Sequence, residues 1–191
     1  MKNFTVITLN KKNITDFATS RNDLLKSTKS EWILFLDSDE VISKDLKSEI
    51  KRLNTSGYNG FYLNRKNYFL RQYVGTDKIL RLGKNNAGTW ERGVHETWHV
   101  NGRIGEIKNA YIVHNTSQNL QDYLKKVNYY SELHALENIK EGKKSNLFKI
   151  IFYPIGKFFI TLIKSRNVVF SIMQSLHSYL SWSKQWIIQN A

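Results

Sequence analysis

Glu31-Trp32-Ile33-Leu34-Phe35-Leu36-Asp37-Ser38-Asp39-Glu40 is the stretch whose reading decides the fold. Five apolar residues in a row, cut off by acids, read as a strand buried on both faces, as in a parallel sheet covered by helices. In open α/β sheets, ligands collect beyond the carboxyl ends of the strands. Asp37 and Asp39, one residue apart at such an end, can project into one crevice and hold a hard divalent cation and, through it, a diphosphate. The plainer reading is that Asp and Ser merely end a strand in a solvated turn. The strand in front and Glu40 behind keep the ligand-binding reading open beside it.

Two other motifs share this string. A calcium loop needs further oxygen ligands and a glycine at set positions, and Val41-Ile42 does not supply them. A haloacid-dehalogenase-like phosphatase carries D-x-D-x-[TV] after an apolar strand, and Asp37 to Val41 fits that pattern. That chemistry also needs a late acidic pair, and the only aspartates after Asp45 are Asp77 and Asp122, in very different contexts.

Outward from this strand, Phe4 to Leu9 is a short β-branched run, and Thr15 or Asp16 can cap a helix carrying Phe17, Ala18, Leu24 and Leu25. Ser43 can cap another, with Leu46, Ile50 and Leu53 on one side. From Gly57 to about Val113 the pattern is strand-rich: Tyr58 to Leu63, Lys78 to Leu82 and Ala110 to Val113 look extended. Asn101-Gly102, between Trp98-His99-Val100 and Arg103-Ile104, reads as a two-residue hairpin turn. Leu120, Leu124, Val127, Tyr130 and Leu133 then follow a helical period ending near Gly142. The order strand, helix, strand, helix, β-rich insert, helices predicts an α/β fold.

Composition is that of a folded chain, 41% hydrophobic and 24% charged. The absence of cysteine excludes disulfide frameworks, thiolate zinc sites and cysteine nucleophiles. No stretch has the pattern of a secretory signal, so a cytosolic location is the expectation. The net charge of +13 favours anionic partners. From Gly142 to Ala191 there are seven Lys/Arg and no Asp or Glu, so a segment boundary falls there. A nucleic-acid-binding module is one reading of the charge, but the basic excess sits among long aliphatic side chains, and no binding motif appears.

Several strings together resemble the family 2 glycosyltransferases, specifically the bacterial branch that builds lipopolysaccharide cores and other surface glycans. Phe17-Ala18-Thr19-Ser20-Arg21-Asn22 is similar to the family's F-A-x-x-R-N helix, and Glu31 to Glu40 to its E-W-x-L-x-L-D-x-D-E strand. Gly60-Phe61 with Arg65, Asn67, Tyr68 and Phe69 resembles the next segment, Arg81-Leu82 the one after, and Gly93-Val94-His95-Glu96 the V-H-E motif. Order and spacing agree over residues 14 to 116.

The resemblance implies a partial GT-A fold with a β-rich insert and inverting, metal-dependent transfer of a sugar from a nucleotide-sugar donor, with Mg²⁺ or Mn²⁺ as cofactor. It implies that Asp37 and Asp39 bind the metal and donor diphosphate, and that Arg21 lies near the nucleotide. Glu96 would be the general base, His95 would orient that carboxylate or approach the metal, and Arg81 would contact phosphate or acceptor. The blander readings are a surface ion pair for Arg21 with Asp16 or Asp23 and for Glu96 with Arg92, and structural or exposed roles for His95, His99 and His114. Trp90 and Trp98 are core or a sugar-stacking platform. The strand–helix units that hold base and ribose in such enzymes, on the order of 50 to 60 residues, precede the F-A-x-x-R-N helix. Only one strand fits between Met1 and Asn13. The expected organisation is a truncated catalytic core over residues 1–116, a helix packing on it over 117–142, and a basic amphipathic tail over 143–191. Activity of the chain alone is left open.

In the tail, Leu147 to Ile163 carries Lys149, Pro154, Gly156 and Lys157, and Asn167 to Ser183 is broken by serines and glutamines. Neither is a convincing transmembrane helix. Aromatic residues with flanking lysines and no acids suit the interface of an anionic bilayer; the alternative is a helix pair covering the catalytic domain. The expectation is peripheral binding to the inner face of the cytoplasmic membrane, matching a lipid-linked or surface-glycan acceptor.

Overall fold

Alternation along one strand organises the first half of the molecule. The computed structural model describes residues 4–9, 14–93 and 96–191. In β2 (Trp32–Asp37), every residue from Trp32 to Leu36 is buried. Successive side chains of a strand point to opposite faces, and two separate cores result. Trp32, Leu34 and Leu36 pack with Leu46 and Ile50 of α2 (Lys44–Arg52), with Phe61 and Leu63 of β4 (Gly60–Phe69), and with Ile107 and Ile112 of β8 (Ile104–Asn115). Ile33 and Phe35 face the other way, onto Ala18 and Leu25 of α1 (Phe17–Ser27) and onto Trp90 and Trp98. Each such fully buried side chain contributes about 1.5–3 kcal/mol of transfer free energy.

The six-stranded sheet has the order β1-β2-β5-β4-β8-β3, with β1 at Thr5–Leu9, β3 at Glu40–Ile42 and β5 at Gln72–Lys84. β1 runs parallel to β2, from Thr5 opposite Ile33 to Leu9 opposite Asp37. On its other edge β2 pairs antiparallel with β5, Leu34 opposite Leu82. The sheet is therefore mixed, where a doubly buried strand had suggested a parallel one; the antiparallel neighbour is as apolar at Leu82 as a parallel one would be. Both predicted caps form. Asp16 accepts from the Thr19 N–H and Ser43 from the Leu46 N–H, each satisfying a backbone donor that the first helical turn leaves free.

The chain turns at Asn101-Gly102, with Gly102 at φ 91, but the turn does not make the expected hairpin. β7 (Thr97–Val100) pairs with β6 (Gly88–Glu91) in a separate two-stranded ribbon, Trp90 opposite Trp98, whereas β8 joins the large sheet. Burial explains the choice. Pairing β6 with β7 stacks the two indoles 5.2 Å apart at 16°, and both meet Phe35 edge-on. Gly83 lies beneath this stack, where a Cβ would come within 2.7 Å of the Trp98 ring.

The chain divides into two compact units. The first, just described, comprises the chain up to Asn67 together with Thr76–Asn115; the second is Tyr68–Gly75 with Thr116–Ala191. Within the second lies the β4–β5 connection, Leu70 and Arg71, both at positive φ as a tight two-residue reversal requires. With it are three helices, α3 (Leu120–Lys140), α4 (Leu147–Ser165) and α5 (Val168–Asn190), each N-capped by an asparagine. Phe69, Val74, Tyr123 and Val127 form its core, with Phe170, Met173, Leu176 and Leu180 packed on them. Among the described residues, no helix is long and apolar enough to cross a membrane.

Candidate active site

Strand alternation puts Asp37 on the face of Ile33 and Phe35, toward α1. On α1, Ala18, Arg21 and Leu25 are the buried residues, at the i, i+3, i+7 spacing of one helical face. Arg21 thus occupies a core position, and its side chain is fully buried. An unpaired guanidinium there would be costly, and the surroundings supply partners. Arg21 Nη2 is ion-paired to Asp37 Oδ1, and its Nε donates to Glu96 Oε1 at 3.1 Å. Phe35 and Trp90 lie beneath its plane at 5.4 and 4.7 Å, a cation–π arrangement. The surface pairing of Arg21 with Asp16 or Asp23 does not occur; Asp16 is occupied with the α1 cap.

Arg81 approaches from β5, one residue before Leu82, the partner of Leu34. Its Nη2 donates to Asp37 Oδ2 at 2.9 Å and its Nη1 stands 3.5 Å from Glu96 Oε1. Two guanidiniums and two carboxylates thus form a neutral quartet at the carboxyl end of β2. Burial pushes the Asp37 carboxyl up, but Arg81 and Arg21 together outweigh it and hold the group below the usual range, with the nearby Asp39 charge opposing them. Asp37, Glu96, Arg21 and Arg81, separated by up to 75 positions in sequence, are brought together in one cluster. His95 lies outside the described residues. His99 is exposed and stands 3.4 Å from Glu91. Trp90 and Trp98, 4% and 2% exposed, are core and offer no open face for a sugar.

A second network fixes the acidic turn itself. The Glu40 side chain is fully buried. Its Oε2 accepts from the Asp37 N–H at 3.0 Å and its Oε1 from Arg65 Nη1 at 2.9 Å. Arg65 also grips Asp77 with a two-pronged fork, Nε–Oδ1 3.0 Å and Nη2–Oδ2 2.6 Å, the geometry for which a guanidinium is suited. Burial raises the Asp77 carboxyl, but Arg65, helped by Asn67, more than offsets it and lowers the group. Asn67 donates to Asp77 Oδ1 at 3.1 Å and meets His114 Nδ1 at 2.8 Å. His114 Nε2 then stands 3.5 Å from Asp39 Oδ1. The chain Glu40–Arg65–Asp77–Asn67–His114–Asp39 therefore leaves the turn at one acid and returns to it at another. Sequence reasoning named Asp37 and Asp39 but missed Arg65, Asp77 and Asn67 as members of this site, and gave His114 no special weight. One signal was present: Glu40 directly faces His114 across the β3–β8 ladder, which any assignment of that pairing would have shown. Among the described residues, no group of three or more His, Asp or Glu stands ready to hold a metal. Asp39 and His114 form a pair 3.5 Å apart, and the Asp39 charge is felt at Asp37.

The fold and site define a mixed α/β domain in which two carboxylates, Asp37 and Glu96, are held by two guanidiniums beyond the carboxyl end of β2. The chain belongs to the family described as glycosyl transferase family 2, whose signature matches residues 1–107. That membership sets the phosphatase and nucleic-acid readings aside. Curated relatives include uncharacterized glycosyltransferases of Rickettsia conorii, 25% identical over 162 residues covering 75% of this chain and 57% of that protein, and of Rickettsia felis, 26% identical over 160 residues covering 74% and 56%. A lipopolysaccharide core biosynthesis glycosyltransferase of Rhizobium meliloti is 24% identical over 147 residues, covering 72% of this chain and 54% of that protein. The chain thus spans little more than half the length of the relatives it matches.

Proposed function

We propose that the chain carries the acid–base and diphosphate-handling half of an inverting glycosyltransferase. It would move a sugar from a nucleotide-sugar donor to a lipid-linked or surface-glycan acceptor at the cytoplasmic face of a membrane. The observation that carries this reading is the convergence of Asp37 and Glu96 on the same two guanidiniums, with Asp39 alongside. In this reading Glu96 takes the proton of the acceptor hydroxyl as that oxygen attacks the anomeric carbon, while Arg21 and Arg81 offset negative charge developing on the departing diphosphate. The kinship with a lipopolysaccharide core biosynthesis enzyme supports the choice of acceptor class.

Asp39 and His114 are donors of the kind a divalent cation takes, a pair rather than a complete set among the described residues. Asp39 Oδ1 and His114 Nε2 are 3.5 Å apart, and Asn67 on Nδ1 orients the imidazole, the outer-shell arrangement usual for ligating histidines. Asp39 and His114, joined by Asp37, would hold Mg²⁺ or Mn²⁺, and the ion would supply Lewis-acid stabilisation of the leaving group. The test is calorimetric titration of UDP, GDP and ADP in the presence of Mn²⁺. The expected result is that one nucleotide binds wild type and binds Asp39→Ala at least about tenfold more weakly, a loss of about 1.4 kcal/mol. Binding that ignores the substitution, or none by any nucleotide, would refute the reading.

A further inference from the structure

Helix α4 is packed inside out. A helix in a water-soluble domain turns its large apolar residues inward and its polar ones outward. In α4 the only buried residues are Pro154 and Thr161, seven positions apart on one face. In α5 they are Ser171, Ser181 and Gln185. Ser175 Oγ donates to the Pro154 carbonyl at 2.9 Å, so the seam between the helices is lined with small and polar groups. The outward face of α4 instead carries Phe148, Phe152, Ile155, Phe159 and Ile163, exposed at 60, 52, 48, 56 and 78%. Their spacing of three or four residues makes one continuous apolar stripe.

Charge identifies what covers it. Lys149, Lys157, Lys164 and Arg166 lie along or just beyond α4, and no acid occurs from Gly142 to the end of the chain. A protein partner for such a stripe would have to be both apolar and acidic, whereas an anionic bilayer presents that combination over an unlimited area. Lysines distributed through the helix oppose crossing, since each would have to shed its hydration. Lying flat, they can extend their ammonium groups to the headgroups while the rings sink below.

We infer that α4 is a bilayer-docking element that lies in the interface of an anionic membrane on its Phe148–Ile163 stripe. The inference rests on the proposed function only for the acceptor that such a surface would carry, since none of these residues belongs to the candidate active site. Its test is flotation of the full chain with vesicles of phosphatidylcholine alone and of phosphatidylcholine mixed with phosphatidylglycerol. Wild type should float with the mixed vesicles and stay largely behind with neutral ones. The triple variant Phe152→Ser, Phe159→Ser, Ile163→Ser should lose flotation with a wild-type circular dichroism spectrum. The double variant Lys157→Gln, Lys164→Gln should lower partitioning to mixed vesicles by about thirtyfold. A Phe159→Cys variant carrying a bimane fluorophore, at the one cysteine in a chain that otherwise has none, should be quenched by brominated lipid and reads the stripe at a single position. Flotation indifferent to anionic lipid, an unquenched label at position 159, or failure to float with concentration-dependent dimers that the triple variant abolishes, would overturn the inference. Nucleotide titration is independent of all these outcomes, so the failure of one proposal leaves the other testable.

Discussion

Arg21 is the residue on which the site and the core depend together. It stands in the buried stripe of α1 yet binds two carboxylates of the site. Removing one member of a buried ion-pair cluster leaves the others uncompensated and costs about 3–5 kcal/mol. Arg21→Ala should therefore lower stability by about that amount in urea denaturation, and Arg21→Lys by less, because lysine keeps the charge but cannot fork between Asp37 and Glu96. An unchanged midpoint for Arg21→Ala would show that the quartet adds nothing to the fold. Asp77 makes a subtler case. Asp77→Asn removes a charge facing Arg65 and turns one of the two acceptor oxygens of the fork into a donor, and the disturbance passes through Asn67 to His114 and Asp39. Outer-shell changes of this kind typically weaken metal binding by about 10–100-fold. Mn²⁺ titration followed by electron paramagnetic resonance, at a temperature well below the variant's own lowered unfolding midpoint, should show a loss in that range; equal affinity would break the proposed relay. Much of this was hidden in the sequence. Asp77 is an isolated aspartate on a strand, and only the pairing of β4 with β5 brings it to Arg65, twelve positions away. Arg21 was more legible than it seemed, since its spacing from Ala18 and Leu25 already marks the inward face of a helix.

At the level of elements, β2 was readable because its apolar run is uninterrupted and its ends are charged. Its caps were readable too, because Asp16 and Ser43 do their work locally. The partners of β7 were not, because Asn101-Gly102 is a good local hairpin signal. That signal is overridden by the non-local gain of stacking Trp90 on Trp98 against Phe35. Gly83 is the hidden condition of that stack. A methyl group there would meet the Trp98 ring at 2.7 and 3.0 Å, and rigid aromatic core yields little. Gly83→Ala should cost about 1–3 kcal/mol, the usual penalty for overpacking, and should alter the near-ultraviolet circular dichroism of the two indoles. A variant as stable as wild type with an unchanged aromatic signal would mean that the ribbon shifts freely over the sheet.

Over the whole molecule, charge decides how the protein answers acid. The chain carries +13 at neutral pH, so self-repulsion already opposes compactness. Asp37 and Asp77 both titrate below the ordinary aspartate range when folded, held there against burial by Arg81 with Arg21 and by Arg65. A depressed carboxyl contributes stability that is fully present above its unfolded pKa and is lost as pH falls through the folded one. Stability should thus hold from neutral pH down to about 4 and fall steeply below that. Each proton taken up removes an internal anion and adds to an excess of positive charge. The two effects separate with salt. Screening shortens the reach of repulsion between surface charges to a few ångströms near molar ionic strength but acts much less on partly buried pairs. Urea midpoints at pH 3 should therefore recover only in part when salt is raised, and Asp77→Asn, which removes one of the titrating pairs, should flatten the acid limb relative to wild type. Full recovery with salt would assign the acid sensitivity to repulsion alone and leave the arginine-held carboxylates without a measurable share in stability.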